Sequence, residues 1–271
     1  MIDFIIVEKP EGDCFSLIQN AIDCAYRENI RTVVVKNGEY ALRACLLLPD
    51  YTRLILDGAK LVAENGDKYV IRNSNSVKNY ARVREAEQSG ITVTGKNGAE
   101  ISGGSILFAC ANNCVVENIC FSKAEYGIVF ASTIGGKIRN VRFADTENGV
   151  ALGCGTRDSV ITDVSGDVKN NLFEISDGLF RKMKKLYQII DVTSNIIRNV
   201  DVTCASVAHI WGYKKEIVGS QVEKIIFSNV KAKASDFAFI IENGKHIVID
   251  GVNIKGKIIA EDYDKTIVKI L

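Results

Sequence analysis

Apolar residues along this chain come in short runs with small polar punctuation between them. Six segments, Glu117-Asn118-Ile119, Arg139-Asn140-Val141, Thr162-Asp163-Val164, Arg198-Asn199-Val200, Ser228-Asn229-Val230 and Asp250-Gly251-Val252, each follow one apolar run and precede another. Their central residues are spaced by 22, 23, 36, 30 and 22 positions. A recurring interval of about 22 residues with a turn-forming residue at one fixed point predicts a solenoid of stacked coils. Two intervals exceed the repeat by roughly 14 and 8 residues, and such excesses mark loops that leave the frame.

Ahead of the repeat, Asp13 can cap a helix over 15–28, within a cap region of 13–29. Phe15, Ile18, Ala21, Ile22, Ala25 and Tyr26 recur there at three- and four-residue intervals. The period then changes to short β-type runs at 32–36, 46–48, 54–56 and 60–63, beside the turn signals Asn37-Gly38, Asp57-Gly58 and Asn65-Gly66. A lone amphipathic helix at this place would cover the open end of the first coil.

From Cys110 onward one coil reads as three strands. Around Asn140 these are 137–139, 141–143 and 149–152, joined by a tight bend at Asn140, a loop at 144–148 and a turn at 153–159. Asn tolerates the left-handed backbone of such a bend, and in stacked coils its side chain would join a hydrogen-bonded ladder. Alternation then sends Ile128, Phe130, Val150, Leu152, Phe173 and Ile175 into the core. A parallel α/β sheet needs a crossover helix of about 10–15 residues, for which these coils have no room. The predicted fold is all-β: a single-stranded right-handed parallel β-helix of about ten coils, one domain over 1–271, with loop insertions at 176–193 and 212–222.

Composition narrows the picture. Hydrophobic residues make up 47% of the 271 positions, charged residues 25%, and the formal net charge is +1, which excludes a general nucleic-acid binder. The apolar run 4–7 is too short and wrongly flanked for a signal peptide, and no stretch reaches the roughly 20 residues of a membrane span; the expectation is a cytoplasmic protein with no membrane partner. Eight cysteines without a C-x-x-C pair, and two histidines, lack metal-site spacing. They read as free, space-filling thiols, and neither metal nor cofactor is expected.

Several stretches resemble the pectin-lyase-like β-helix proteins, and among them the polygalacturonase-type glycoside hydrolases. After the entry helix come Thr32-Val33-Val34-Val35, Asn37-Gly38-Glu39-Tyr40, Arg53-Leu54-Ile55-Leu56-Asp57-Gly58-Ala59-Lys60-Leu61, Ile91-Thr92-Val93-Thr94-Gly95 and Glu100-Ile101-Ser102-Gly103-Gly104, in the order of that family. The resemblance implies a β-helix acting on carbohydrate, but one fold hosts many activities. Where the family has Asn-Thr-Asp-Gly and then Asp-Asp, this chain reads Thr146-Glu147-Asn148-Gly149 and Asn170-Asn171-Leu172-Phe173. The family's Gly-His-Gly and Arg-Ile-Lys stretches have no clear counterpart in Ser206-Val207-Ala208-His209 or Ala238-Phe239-Ile240-Ile241. Asparagine is neither a proton donor nor a base near neutral pH, so the resemblance implies hydrolytic carboxylates that these positions lack.

The two insertions leave from corresponding turns of consecutive coils and would raise two walls beside one strand face. The first carries Arg181, Lys185 and Tyr187, the second Tyr213 and Lys214 next to Trp211; aromatic faces suit sugar rings and cations suit carboxylates or phosphates. The same segment also reads as a short amphipathic helix packed by Phe180, Met183 and Leu186. Between the walls, inward Phe173 and Ile175 leave Glu174 outward, and inward Ala208 and Ile210 leave His209 outward, as neighbours about 4.8 Å apart. Glu147, one coil earlier, is expected near enough to serve with Glu174 and His209 in acid–base chemistry, with Asn148, Asn170 and Asn171 holding sugar hydroxyls. A solvent-facing Glu beside a His, and Asn148-Gly149 as a plain turn, are the bland alternatives.

These features suggest a glycoside hydrolase-like enzyme acting on an oligosaccharide or polysaccharide fragment. The alternatives are a non-catalytic sugar-binding or structural β-helix, or a fructan-processing or epimerase-type enzyme whose site a second subunit completes. Both alternatives accommodate a homo-oligomer.

Overall fold

The computed structural model describes residues 3–64, 68–78, 88–180, 191–212, 221–261 and 268–270. The helix Cys14–Arg27 opens the chain, with Asp13 as its cap accepting from the Ser16 amide at 3.2 Å and the Ser16 hydroxyl at 2.6 Å. Cys14, Ile18, Ile22 and Ala25 are buried against the first coil. Tyr26, expected on that face, is exposed instead; one position on from Ala25 turns its side chain away from the strands, and the Arg31 guanidinium stacks 4.3 Å from its ring. Gln19 joins helix to coil: its side chain accepts from the Leu47 amide at 2.9 Å and donates to the Leu47 carbonyl at 3.1 Å. The strand Leu46–Leu48 pairs with Tyr69–Asn73, so Gln19 satisfies backbone groups on its other edge.

Three parallel ladders run the length of the molecule. The first begins at Ile5–Val7 and passes through Thr32–Val35, Arg53–Asp57, Thr92–Lys96 and Val115–Glu117 into the opening parts of Lys137–Thr146, Val160–Val168, Ile196–Cys204, Ile226–Glu242 and Ile247–Glu261. A second starts at Gly38–Leu42 and Ala59–Ala63. The third contains Ser105–Ala109, Tyr126–Ala131, Asn148–Gly153, Asn171–Ser176, Ser206–Trp211 and the end of Ile226–Glu242. Strands one coil apart pair directly, which makes the architecture a parallel β-helix.

At the bend between the first two ladders, Asn118, Asn140, Asp163, Asn199 and Asn229 all have φ between 49° and 60°, and Gly251 has φ 61°. This is the left-handed region, tolerated by Asn, Asp and Gly. Their side chains link coil to coil: Asn140 donates to Asn118 at 2.8 Å, Asn199 to Asp163 at 3.0 Å and Asn229 to Asn199 at 2.9 Å. Thr162 and Asn199 donate to Asp163, and these bonds hold its carboxyl below the usual carboxylate range.

Inside, Ile128, Phe130, Val150, Leu152, Phe173 and Ile175 are fully buried. Aromatic rings fill the core, with Phe121 stacked 5.7 Å from Phe143 on the next coil and Phe227 meeting Phe239 of the same coil edge to face at 5.0 Å. Of the eight cysteines, five are buried and three partly buried. Burial pushes Cys114 and Cys204 up to about 12. Among the described residues no helix is long and apolar enough to cross a membrane.

Candidate functional site

Along the third ladder, residues between the inward pairs form outward rows that continue from coil to coil. One row is Leu107, Val129, Ala151, Glu174, His209 and Ile240; the next includes Ala131, Gly153 and then Ser176, Trp211 and Glu242. The first half of this face is apolar and the second half carries ionisable groups. Leu107, Ala109, Val129, Ala131 and Ala151 form a cluster outside the core, with Tyr69, Tyr126 and Phe180 packed on it.

Phe180 reaches the cluster because the chain turns back after Ser176. The Cys154 amide donates to the Leu179 carbonyl at 3.1 Å, and Phe180, at φ 55°, meets Tyr126 edge to face with centroids 6.0 Å apart. Gly178 lies in the same turn, where an added Cβ would come within 2.4 Å of Trp211 Cζ3. The turn and the indole therefore require each other's shape.

Glu174 and His209 are register partners on adjacent strands. The Tyr126 hydroxyl donates to Glu174 Oε2 from two coils away. Burial, followed by this hydrogen bond to a carboxylate, raises the Tyr126 phenol above its ordinary value. His209 Nε2 lies 3.6 Å from Glu242 Oε1, an ion pair when the imidazole is protonated. That nitrogen is buried and has no hydrogen-bond partner among the described residues. The imidazole also lies 6.3 Å from the Trp211 ring at a tilt of 36°. A held carboxylate, an imidazole facing a second carboxylate and an indole thus share one surface. Such a set can accept a proton, donate one and cover an apolar ring face.

The other expected residues are placed differently. Glu147 sits at the turn before Asn148, where its carboxylate takes Lys169 Nζ at 2.9 Å and Asn170 Nδ2 at 3.5 Å. Asp145 lies 3.0 Å from the same ammonium group, whose pKa these two carboxylates raise. Ala151, the register partner of Glu174, is four residues further on, roughly 13 Å along the strand. Glycosidase carboxyl pairs lie about 5–9.5 Å apart, so Glu147 is not brought into a pair with Glu174. Asn148 donates to the Glu125 carbonyl at 3.1 Å and accepts from the Asn171 amide at 3.3 Å, while the Asn170 carbonyl accepts from the amides of Ala205 and Ser206. These asparagines tie coils together. Arg181, Lys185, Tyr187, Tyr213 and Lys214 lie outside the described residues.

Two residues here escaped sequence reasoning, Tyr126 and Glu242. Glu242 was within reach of the alternation rule, since Phe239 and Ile241 point inward and the rule sends Glu242 out beside Trp211. Tyr126 had no such signal, because its partner is 48 positions away.

No protein-family model matches the sequence, and no curated protein matches it. Among solved structures, the tailspike protein of an Escherichia coli bacteriophage, crystallised with a hexasaccharide, superposes with a TM-score of 0.67 at 13% identity. The match covers 91% of this chain and 48% of the tailspike. A mannuronan C-5 epimerase A-module from Azotobacter vinelandii superposes with a TM-score of 0.60 at 13% identity, covering 88% of this chain and 65% of the module. All are right-handed parallel β-helix proteins. The chain is a right-handed parallel β-helix. It spans about half the length of the tailspike. A third β-helix, a provisionally assigned glycosyl hydrolase from Parabacteroides merdae, has a TM-score of 0.54 at 12% identity, with 75% of this chain and 95% of that one covered.

Proposed function

We propose that this β-helix is a carbohydrate-active enzyme that cleaves a glycosidic bond in an oligosaccharide or polysaccharide fragment. The observation that carries the reading is the register pairing of Glu174 with His209, with Tyr126 holding the one and Glu242 facing the other. Glu174 takes the proton of the attacking water as the water oxygen bonds to the anomeric carbon. In its imidazolium form His209, with Nε2 turned to Glu242, gives the proton of its other ring nitrogen to the leaving oxygen as the glycosidic bond breaks. Trp211 covers the apolar face of a sugar ring.

Tyr126 stays a hydrogen-bond donor, because burial and the Glu174 carboxylate both hold the phenol in its protonated form. That favours hydrolysis over proton abstraction by this phenol. Solved structures of the same fold are named for saccharide ligands or saccharide chemistry, which supports the choice of substrate class and directs the substrate panel.

The test is reducing-sugar release across neutral and acidic oligosaccharides. Glu174→Gln and His209→Asn are each expected to lower kcat/KM by about 10²–10⁴-fold, the usual worth of a positioned acid or base. Glu147→Gln is expected to stay within a few-fold of the parent. Turnover that survives Glu174→Gln, or no turnover on any substrate alongside retained saccharide binding, overturns the reading in favour of a binding module.

A further inference from the structure

Around the corner of the coil from Glu174 and His209, the outward face of the second ladder carries stacked lysines. The strands Ile196–Cys204, Ile226–Glu242 and Ile247–Glu261 put Asp201, Lys231 and Asn253 in one row and Thr203, Lys233 and Lys255 in the next. In the first row Asp201 takes the Lys231 ammonium group at 3.1 Å. In the second, Lys233 and Lys255 stand directly opposite each other, and neither has an ion-pair partner among the described residues. Like charges opposite one another on strands about 4.8 Å apart are destabilising.

These six side chains border a cleft of about 250 Å³. Val202 and Ala232, both buried, underlie it. Thr203 also borders a second cleft of about 500 Å³, lined by Asp145, Asp167, Lys169 and Ser235. Three lysines against one aspartate leave the smaller cleft cationic, and the aspartate is already engaged by Lys231.

We propose that this cleft is a binding site for a compact oxyanion, a carboxylate or a phosphate, carried on a ligand of about monosaccharide size. Lys233 and Lys255 donate to two of its oxygens, and the Thr203 hydroxyl and Asn253 amide complete the set. The anion relieves the repulsion between the two ammonium groups, so occupancy stabilises the last coils. The site faces away from the Glu174–His209 row and does not rest on its reading as a hydrolase.

Titration of the whole chain with inorganic phosphate, glucose 6-phosphate, glucuronate and glucose, followed by amide shifts in NMR spectra and by Tm, tests this. Charged ligands are expected to shift the amides of Thr203, Lys233 and Asn253 and to raise Tm, whereas glucose does neither. Response to both sugar acids but not to inorganic phosphate places the sugar ring in the site; response to phosphate compounds alone selects the phosphate group. Lys233→Gln and Lys255→Gln are each expected to weaken binding about tenfold, and Lys137→Gln, on another face, not at all. Equal responses to glucose and the anions, responses unchanged in both lysine variants, or no response to any probe overturn the proposal.

Discussion

The Tyr126 hydroxyl reaches the Glu174 carboxylate across an intervening strand on which the register partner of Glu174 is Ala151. A methyl group at 151 leaves the space through which the phenol passes. Tyr126→Phe keeps the ring against Phe180 and removes only the donor, leaving a half-buried carboxylate without it. The expected cost is about 2 kcal/mol in urea unfolding. Because the folded phenol lies above its unfolded value of about 10, its contribution is present below that pH and is lost as pH rises past it. This alkaline loss should shrink in Tyr126→Phe.

Trp211 is the sole tryptophan in the chain, so its fluorescence reports on the candidate site alone. Gly178→Ala places a methyl group against the indole and is expected to shift the emission maximum and weaken saccharide binding. Gly12→Ala, with open space around it, should leave the spectrum unchanged. An unaltered spectrum in Gly178→Ala would show that the turn does not set the indole's position.

Asn140 combines a left-handed backbone with a side-chain bond to Asn118. Asn140→Ala is expected to lose about 1–2 kcal/mol from the backbone alone, together with the ladder bond. Asn140→Gly should lose less, since glycine adopts the same φ without strain. Equal losses in the two variants, measured by denaturant unfolding, would assign the stabilisation to the ladder bond and not to the conformation.

Cys114 and Cys204 have folded pKa values of about 12 against an ordinary thiol value of 9.0, with burial the main cause. Unfolded chains release these protons first, so stability should fall as pH rises from about 9 towards about 12. Replacing both with alanine should flatten that slope. In the native protein neither thiol is expected to react with an alkylating reagent at neutral pH, whereas partly buried Cys24 and Cys45 react sooner.

Much of the frame was legible in the chain. The row from Asn118 to Gly251 marks a backbone conformation that few residue types accept, and that restriction is written in residue identity. Strand alternation likewise placed Phe173 and Ile175 inside and Glu174 outside. Tyr26 shows where such patterns stop, because a periodicity of three and four cannot tell the edge of a covered face from its exposed flank.

Glu147 was beyond sequence reasoning for a different reason. Its distance from Glu174 depends on which strand end it occupies, and its engagement by Lys169 depends on how the next coil closes. The repeat, the inward core and the outward placement of Glu174 and His209 follow from local chemistry, since backbone preference and side-chain alternation act over a few residues. The meeting of Tyr126 with Glu174, of His209 with Glu242 and of Trp211 with Gly178 belongs to the tertiary structure. Each of those contacts is set by the register of whole coils and by the small residues that leave room between them, and neither is a property of any single segment.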